Sequence, residues 1–175
     1  MRKTVLTFGL ISGALVAIMM VATLPFVHNV SSAIGYILGY TTIVLSSLFI
    51  FFGVRSYREN VSGGRLTFAR GFAVGILIAL VTSACYVGTW EIVYFKFMPD
   101  FADKYAARLV DNAKASGASP EKIQKATQDA EHFKQIYNNP IINIGMTFLE
   151  IFPVGLVVTL LSAALLRKKS PTPAS

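Results

Sequence analysis

From Thr4 to Val54 the chain carries no Asp, Glu, Lys or Arg. A membrane-spanning helix needs about 20 mostly apolar residues, so this run is too long for one span and fits two. A break falls at Pro25-Phe26-Val27-His28-Asn29-Val30-Ser31-Ser32, where a proline and turn-forming residues cluster. The pattern predicts spans over 4–27 and 34–54 joined in a tight hairpin. A third uncharged run goes from Gly71 to Trp90 and continues past Glu91 to Phe97, and a fourth goes from Ile141 to Leu166, interrupted only by Glu150. These predict spans over 71–97 and 141–166, leaving 98–140 as the one sizeable stretch outside the apolar runs.

That stretch switches to a helical period. Asp100 stands where it can cap a helix running to about Ser116, with Phe101, Tyr105 and Leu109 recurring every four residues. Gly117 ends it, and Ser119-Pro120-Glu121 reads as an N-cap, a first-turn proline and a first-turn acid. Ile123, Ala126, Ala130, Phe133 and Tyr137 then follow at spacings of three and four, and Asn138-Asn139-Pro140 stops the second helix. A short helical hairpin is predicted, its apolar faces meeting each other or resting on the membrane surface.

Composition agrees with a membrane protein: 175 residues, 54% hydrophobic, 14% charged, with a mean hydropathy of +0.58. The placement of the cations adds orientation. Arg2, Lys3, Arg55, Arg58, Arg65, Arg70, Arg167, Lys168 and Lys169 all fall on one face of a four-span protein, opposed there only by Glu59. Lys and Arg are retained on the cytoplasmic side of short loops, so both termini are expected in the cytoplasm. In the segment 98–140 six cations balance six acids, as suits an exported piece. The expected fold is therefore an all-α membrane protein, a single domain over 1–175 with four transmembrane helices and an extracytoplasmic helical hairpin between the third and fourth. A cleaved signal peptide is a poor alternative for the first span, because its apolar core far exceeds the 7–15 residues of a signal. The pI of 9.7 is accounted for by orientation and by anionic headgroups; no nucleic-acid motif accompanies it, so no nucleic-acid partner is expected.

Candidate chemistry is confined to the spans. An ionisable group inside a membrane costs roughly 2.5–3.5 kcal/mol on insertion scales, and it usually faces the bundle interior or water. Glu150 lies about 15 Å into the fourth span and Glu91 about 12 Å below the same surface, counting 1.5 Å per residue. If they face each other, a shared proton or a bound cation becomes possible. Asn143, Thr147 and Glu150 are spaced i, i+4, i+7, a polar stripe in the outer half of the fourth span that turns apolar through Val154, Val157 and Leu161. Pro153 has no N–H, so the carbonyl of Leu149 is set free beside Glu150. Glu91, Asn143, Thr147, Glu150 and Pro153 form the candidate intramembrane polar site.

Each feature also has a structural explanation. A buried Glu can be protonated and hydrogen-bonded as interhelical glue. Tyr86, Trp90 and Tyr94 suit an interfacial aromatic belt better than a ligand cage. Ala84 and Gly88 share the face of Glu91, and the pairs Gly9/Gly13, Gly35/Gly39 and Gly71/Gly75 fit GxxxG packing. Cys85, the only cysteine, reads as a small buried side chain. His28 and His132 lack metal-ligand spacing, and no catalytic or nucleotide-binding motif appears. No cofactor, metal or catalytic residue is expected.

The basic start MRKTVLTFGLISG, the segments FFGVRSYREN and GTWEIVYFKFMPDFADKY, and FLEIFPVGL before a basic tail together resemble the bacterial family catalogued as domain of unknown function 4199. The resemblance covers nearly the whole chain and implies a four-helix bacterial inner-membrane protein. It implies no activity and carries over no site residue. Two functions follow as expectations: a non-enzymatic accessory, sensor or scaffold acting through its hairpin and bundle surface, or a small oligomeric transporter or channel using Glu91 and Glu150. A membrane-embedded enzyme ranks third. The partners expected are the lipid bilayer and either a second copy or another membrane protein.

Overall fold

In a computed structural model, which describes residues 1–24 and 32–168, six α-helices carry nearly all of the described chain. They are α1 Arg2–Thr23, α2 Ser32–Asn60, α3 Phe68–Ile92, α4 Phe101–Ala115, α5 Pro120–Tyr137 and α6 Pro140–Leu166, with a π-helical turn at Val93–Phe97 extending α3. No strand is present among the described residues, and four helices are long and apolar enough to cross a membrane: Arg2–Thr23, Ile37–Asn60, Phe68–Phe97 and Pro140–Leu166. The chain is a multi-pass membrane protein of all-α class. The expected break at 25–32 lies outside the described residues, apart from Ser32, which begins α2. α2 continues six residues past the expected end at Val54, to Asn60. Arg55, Arg58 and Glu59 are compatible with a helix, and Glu59 accepts from Arg55 one turn back, at 3.0 Å.

The chain divides into two compact units, residues 1–89 with the chain from Phe148 on, and Trp90–Thr147. In the first unit, the core at one end joins Val5 of α1, Val54 and Tyr57 of α2, Leu66 and Leu166. Close approach depends on small residues. A Cβ at Gly9 would lie 2.7 Å from Val81 Cβ, one at Gly13 2.6 Å from Cys85 Sγ, and one at Gly75 2.8 Å from Thr159 Cγ2. The first and third glycine pairs therefore seat α1 on α3 and α3 on α6, whereas a Cβ at Gly35 or Gly39 would meet nothing within 4 Å among the described residues.

Hydroxyls fill the rest of this core. Ser12, Ser46, Ser47, Thr82, Ser83, Thr159 and Ser162 are all buried. Ser12 Oγ donates to the carbonyl of Ser46 on the neighbouring helix at 2.9 Å, and Ser47 Oγ donates to the carbonyl of Ile43 within its own helix at 2.7 Å. Interhelical hydroxyl bonds of this sort hold membrane bundles together where lipid provides no hydrophobic drive, at about 0.6–2 kcal/mol each.

The loop from α2 to α3 turns through Gly63 and Gly64, whose φ values of 61° and 79° favour glycine. It then pairs with the chain after α6: Leu66 N–H donates to the Lys168 carbonyl at 3.3 Å, and Lys168 N–H to the Leu66 carbonyl at 2.9 Å.

In the second unit, α4 and α5 are linked by a turn through Gly117, φ 67°. Ser119 is the N-cap and Pro120 opens the next helix, as the residue order predicts. Asp100 occupies the N-cap position of α4 but makes no side-chain cap bond; its carboxylate pairs with Lys104 at 2.6 Å. The α5 stripe holds as expected, with Ala130 and Tyr137 buried and Ile123, Ala126 and Phe133 half-buried. On α4 the buried positions are Ala102 and Ala106, and Leu109 is exposed. A spacing of four advances about 40° beyond a full turn at each step, so Leu109 has rotated off the face that Phe101 begins. The alanines take its place against α5.

Candidate functional site

Asn143 is the centre of the polar groups in the second unit. Asn139 and Pro140 start α6, with Asn139 Oδ1 accepting from the Ile141 N–H at 3.0 Å. One turn on, Asn143 is fully buried. Its Oδ1 accepts from Trp90 Nε1 at 3.1 Å and from Thr147 Oγ1 at 3.2 Å, while its Nδ2 donates to the Tyr137 carbonyl at 3.2 Å. Trp90 Nε1 also reaches Tyr137 Oη at 3.0 Å, and Tyr94 Oη donates to Asn138 Oδ1 at 2.6 Å.

Around these bonds stands an aromatic cluster. Trp90 meets Phe101 edge-on at 5.0 Å between centroids, Tyr94 meets Tyr137 at 5.4 Å, and Phe133 stacks on Tyr137 at 4.7 Å. Such pairs add about 0.5–1.5 kcal/mol each beyond area burial. Tyr94 is only 2% exposed, so Trp90 and Tyr94 are core residues of this unit, and the expected aromatic belt does not describe them. Asn143 and Thr147 serve the same core. Their polar atoms are spent on internal bonds.

Glu91 is half-buried in this unit, and its Oε1 is buried with no hydrogen-bond partner among the described residues. The π-helical turn begins two residues later. A π-turn inserts one residue into an α-helix and commonly marks a functional or strained place. Gly88, on the Glu91 face, has no neighbouring atom of the described residues within 4 Å of a Cβ position.

Glu150 belongs to the first unit. Its Oε2 accepts from Tyr86 Oη at 3.2 Å. Below this pair Tyr86 and Val154 pack on Val16, Ile43 and Ile151. Glu150 is exposed, whereas Asn143 and Thr147 are buried. Buried positions recur along α6 every four residues, at Asn143, Thr147, Ile151, Gly155, Thr159 and Ala163, with Ser162 and Leu166 added at its end. That series winds about 40° per step and leaves Glu150 on the outside. The lower stripe is corrected for the same reason. Val157 and Leu161 face outward at 55% and 57% exposure, and the buried positions there are the hydroxyls of Thr159 and Ser162. Pro153 sits within α6, which runs unbroken from Pro140 to Leu166.

The structure thus joins Asn143 with Thr147, and it supplies Tyr86 as the partner of Glu150. Residue spacing pointed to the acid but not to its donor; the signal available was a tyrosine in the preceding span. A second polar constellation lies on α4 and α5. Lys134 Nζ pairs with Asp103 Oδ1 at 2.9 Å and Glu131 Oε1 at 3.6 Å beside a cavity of about 160 Å³. The hydrogen bond that Lys134 donates to Asp103, with the neighbouring acidic charge, raises the pKa of Lys134. His132 is exposed on the same helix, His28 lies outside the described residues, and no group of metal-ligating side chains occurs among the described residues.

One family model matches residues 7–168, under the description protein of unknown function (DUF4199). No curated protein and no solved structure matches the chain.

Proposed function

Since the chain belongs to the DUF4199 family, described only as a protein of unknown function, we propose its role from its own geometry: a non-enzymatic accessory, sensor or scaffold protein. It resides in the bacterial inner membrane with both termini in the cytoplasm and the segment 98–140 outside. The observation that supports this is the second unit. Residues 90–147 form a compact body whose tyrosine, tryptophan and asparagine groups are used for its own cohesion. The polar groups on the outer faces of α4 and α5, including both signs of charge, are what it offers to a partner. A platform of this kind suits recognition better than chemistry. Photo-crosslinkers placed at exposed positions such as Lys122 and Asp129 in the intact membrane protein test it. A discrete crosslinked partner, a second copy included, is expected; lipid adducts alone would sink the proposal.

A second function is favoured by one contact. Tyr86 and Glu150 make a phenol–carboxylate pair within membrane-spanning helices, which suits a proton- or cation-coupled transporter or channel, in an oligomer. Proteoliposomes decide it: proton or cation flux by the parent protein, abolished in Glu150→Gln, supports transport, and an inert parent protein removes it.

A further inference from the structure

The loop between α2 and α3 and the chain leaving α6 are fastened by two backbone hydrogen bonds. The side chains around the fastening are cationic. Arg65 precedes Leu66, Arg167 precedes Lys168, and Arg70 lies in the first turn of α3. All four of Arg65, Arg70, Arg167 and Lys168 are exposed, and none forms an ion pair among the described residues. The only acid nearby in the sequence, Glu59, is engaged by Arg55 and Arg58 at 3.0 and 3.1 Å.

The rule that cations stay on one side of a membrane accounts for these residues being at one end. It does not account for the fastening. Residues opposite each other in a hydrogen-bonded antiparallel pair have Cα atoms about 5.5 Å apart; here that pair is Leu66 and Lys168, and the bridge keeps Arg65 and Arg167, each one residue before it, on adjoining backbones. Leu66 anchors the pair by burying its side chain with Leu166 and Tyr57. The result is a cationic cluster without a counter-anion among the described residues, at the ends of membrane-spanning helices, on a backbone held by two hydrogen bonds. The geometry points to a binding site for the phosphate of an anionic phospholipid headgroup, held by Arg65, Arg70, Arg167 and Lys168. A membrane lipid is the fitting source because the site adjoins the lipid-facing ends of α3 and α6. This site is independent of the accessory and transport roles proposed above.

The full chain in nanodiscs tests it, using phosphatidylcholine alone or phosphatidylcholine with cardiolipin or phosphatidylglycerol, with co-purifying lipid counted by mass spectrometry. Anionic lipid should be retained by the parent protein, and its apparent affinity should fall about fivefold for each cation removed in Arg65→Ala and Arg167→Ala. A charge-matched control, Lys114→Ala with Lys122→Ala on the other unit, should leave it unchanged. Lys168→Ala and Lys168→Pro lose the same charge, but only the second loses the N–H that donates to Leu66. Weaker retention by the proline variant supports a fastened site. Equal retention by all variants, or equal loss in the control, would reduce the site to diffuse charge and overturn it. So would protection of the protein by inorganic phosphate in pure phosphatidylcholine with no preference for anionic lipid, which would assign the cluster to a soluble anion.

Discussion

Glu150 and Asn143 lie seven residues apart on one helix and do different work. Asn143→Leu leaves Thr147 and the Tyr137 carbonyl without a partner and removes one acceptor of Trp90, so it should destabilise the second unit by about 1–2 kcal/mol. Trp90 is the only tryptophan and stands in that core, so its emission during thermal unfolding reports the change directly. Glu150→Gln keeps an oxygen for Tyr86 and should cost no more than about 0.5 kcal/mol. Equal losses from the two variants would contradict the placement of Glu150 outside the buried stripe. Lys134 adds a pH dependence. Its pKa is raised in the folded state by Asp103, so its contribution is complete below the ordinary lysine value near 10.4 and is lost as pH climbs through the higher folded value. Alkaline titration of Trp90 emission should show loosening only in that range, and Lys134→Met should flatten the response. The position of Glu150 along α6 was legible, because the helix begins at Pro140 where the sequence places its start and rise per residue is fixed. Its rotation was not, because a buried stripe that winds 40° per step cannot be told from a straight one by three polar residues.

Among the elements, glycine spacing and glycine use part company. Gly75→Leu and Gly13→Leu force a side chain into Thr159 and Cys85, and overpacking of this kind costs about 1–3 kcal/mol. Gly39→Leu meets open space and should leave the unfolding midpoint of the purified protein unchanged within a degree or so. A large loss at Gly39 would show that α2 is packed there by something further. All three glycine pairs have the same sequence signature, and only the partner helix separates them. The helices themselves were legible: uncharged runs mark the four long ones, and the three-four spacing of Ile123 to Tyr137 marks α5 down to its buried face. The serine and threonine core was hidden for a physical reason. Hydroxyls bond to carbonyls, such as Ser12 to Ser46, so they pass through an apolar run without breaking it, and hydropathy averages them away.

For the whole molecule, reporter fusions test the proposed orientation: a fusion at Gly117 should be active outside the cytoplasm and one at Val61 inside, and the reverse pattern would invert it. The partition of the chain has a further outcome, which concerns time. The first unit is built from two stretches of sequence with residues 90–147 between them, so it cannot close in the order in which it is made. At roughly 5–20 residues per second, the ribosome finishes α3 several seconds before the part of α6 that covers Gly71 and Gly75 emerges. During that interval the glycine face of α3 must be sheltered by lipid or by the insertion machinery. A chain arrested in the hairpin would keep that face bare, and such truncated products are the ones that membrane proteases should clear first.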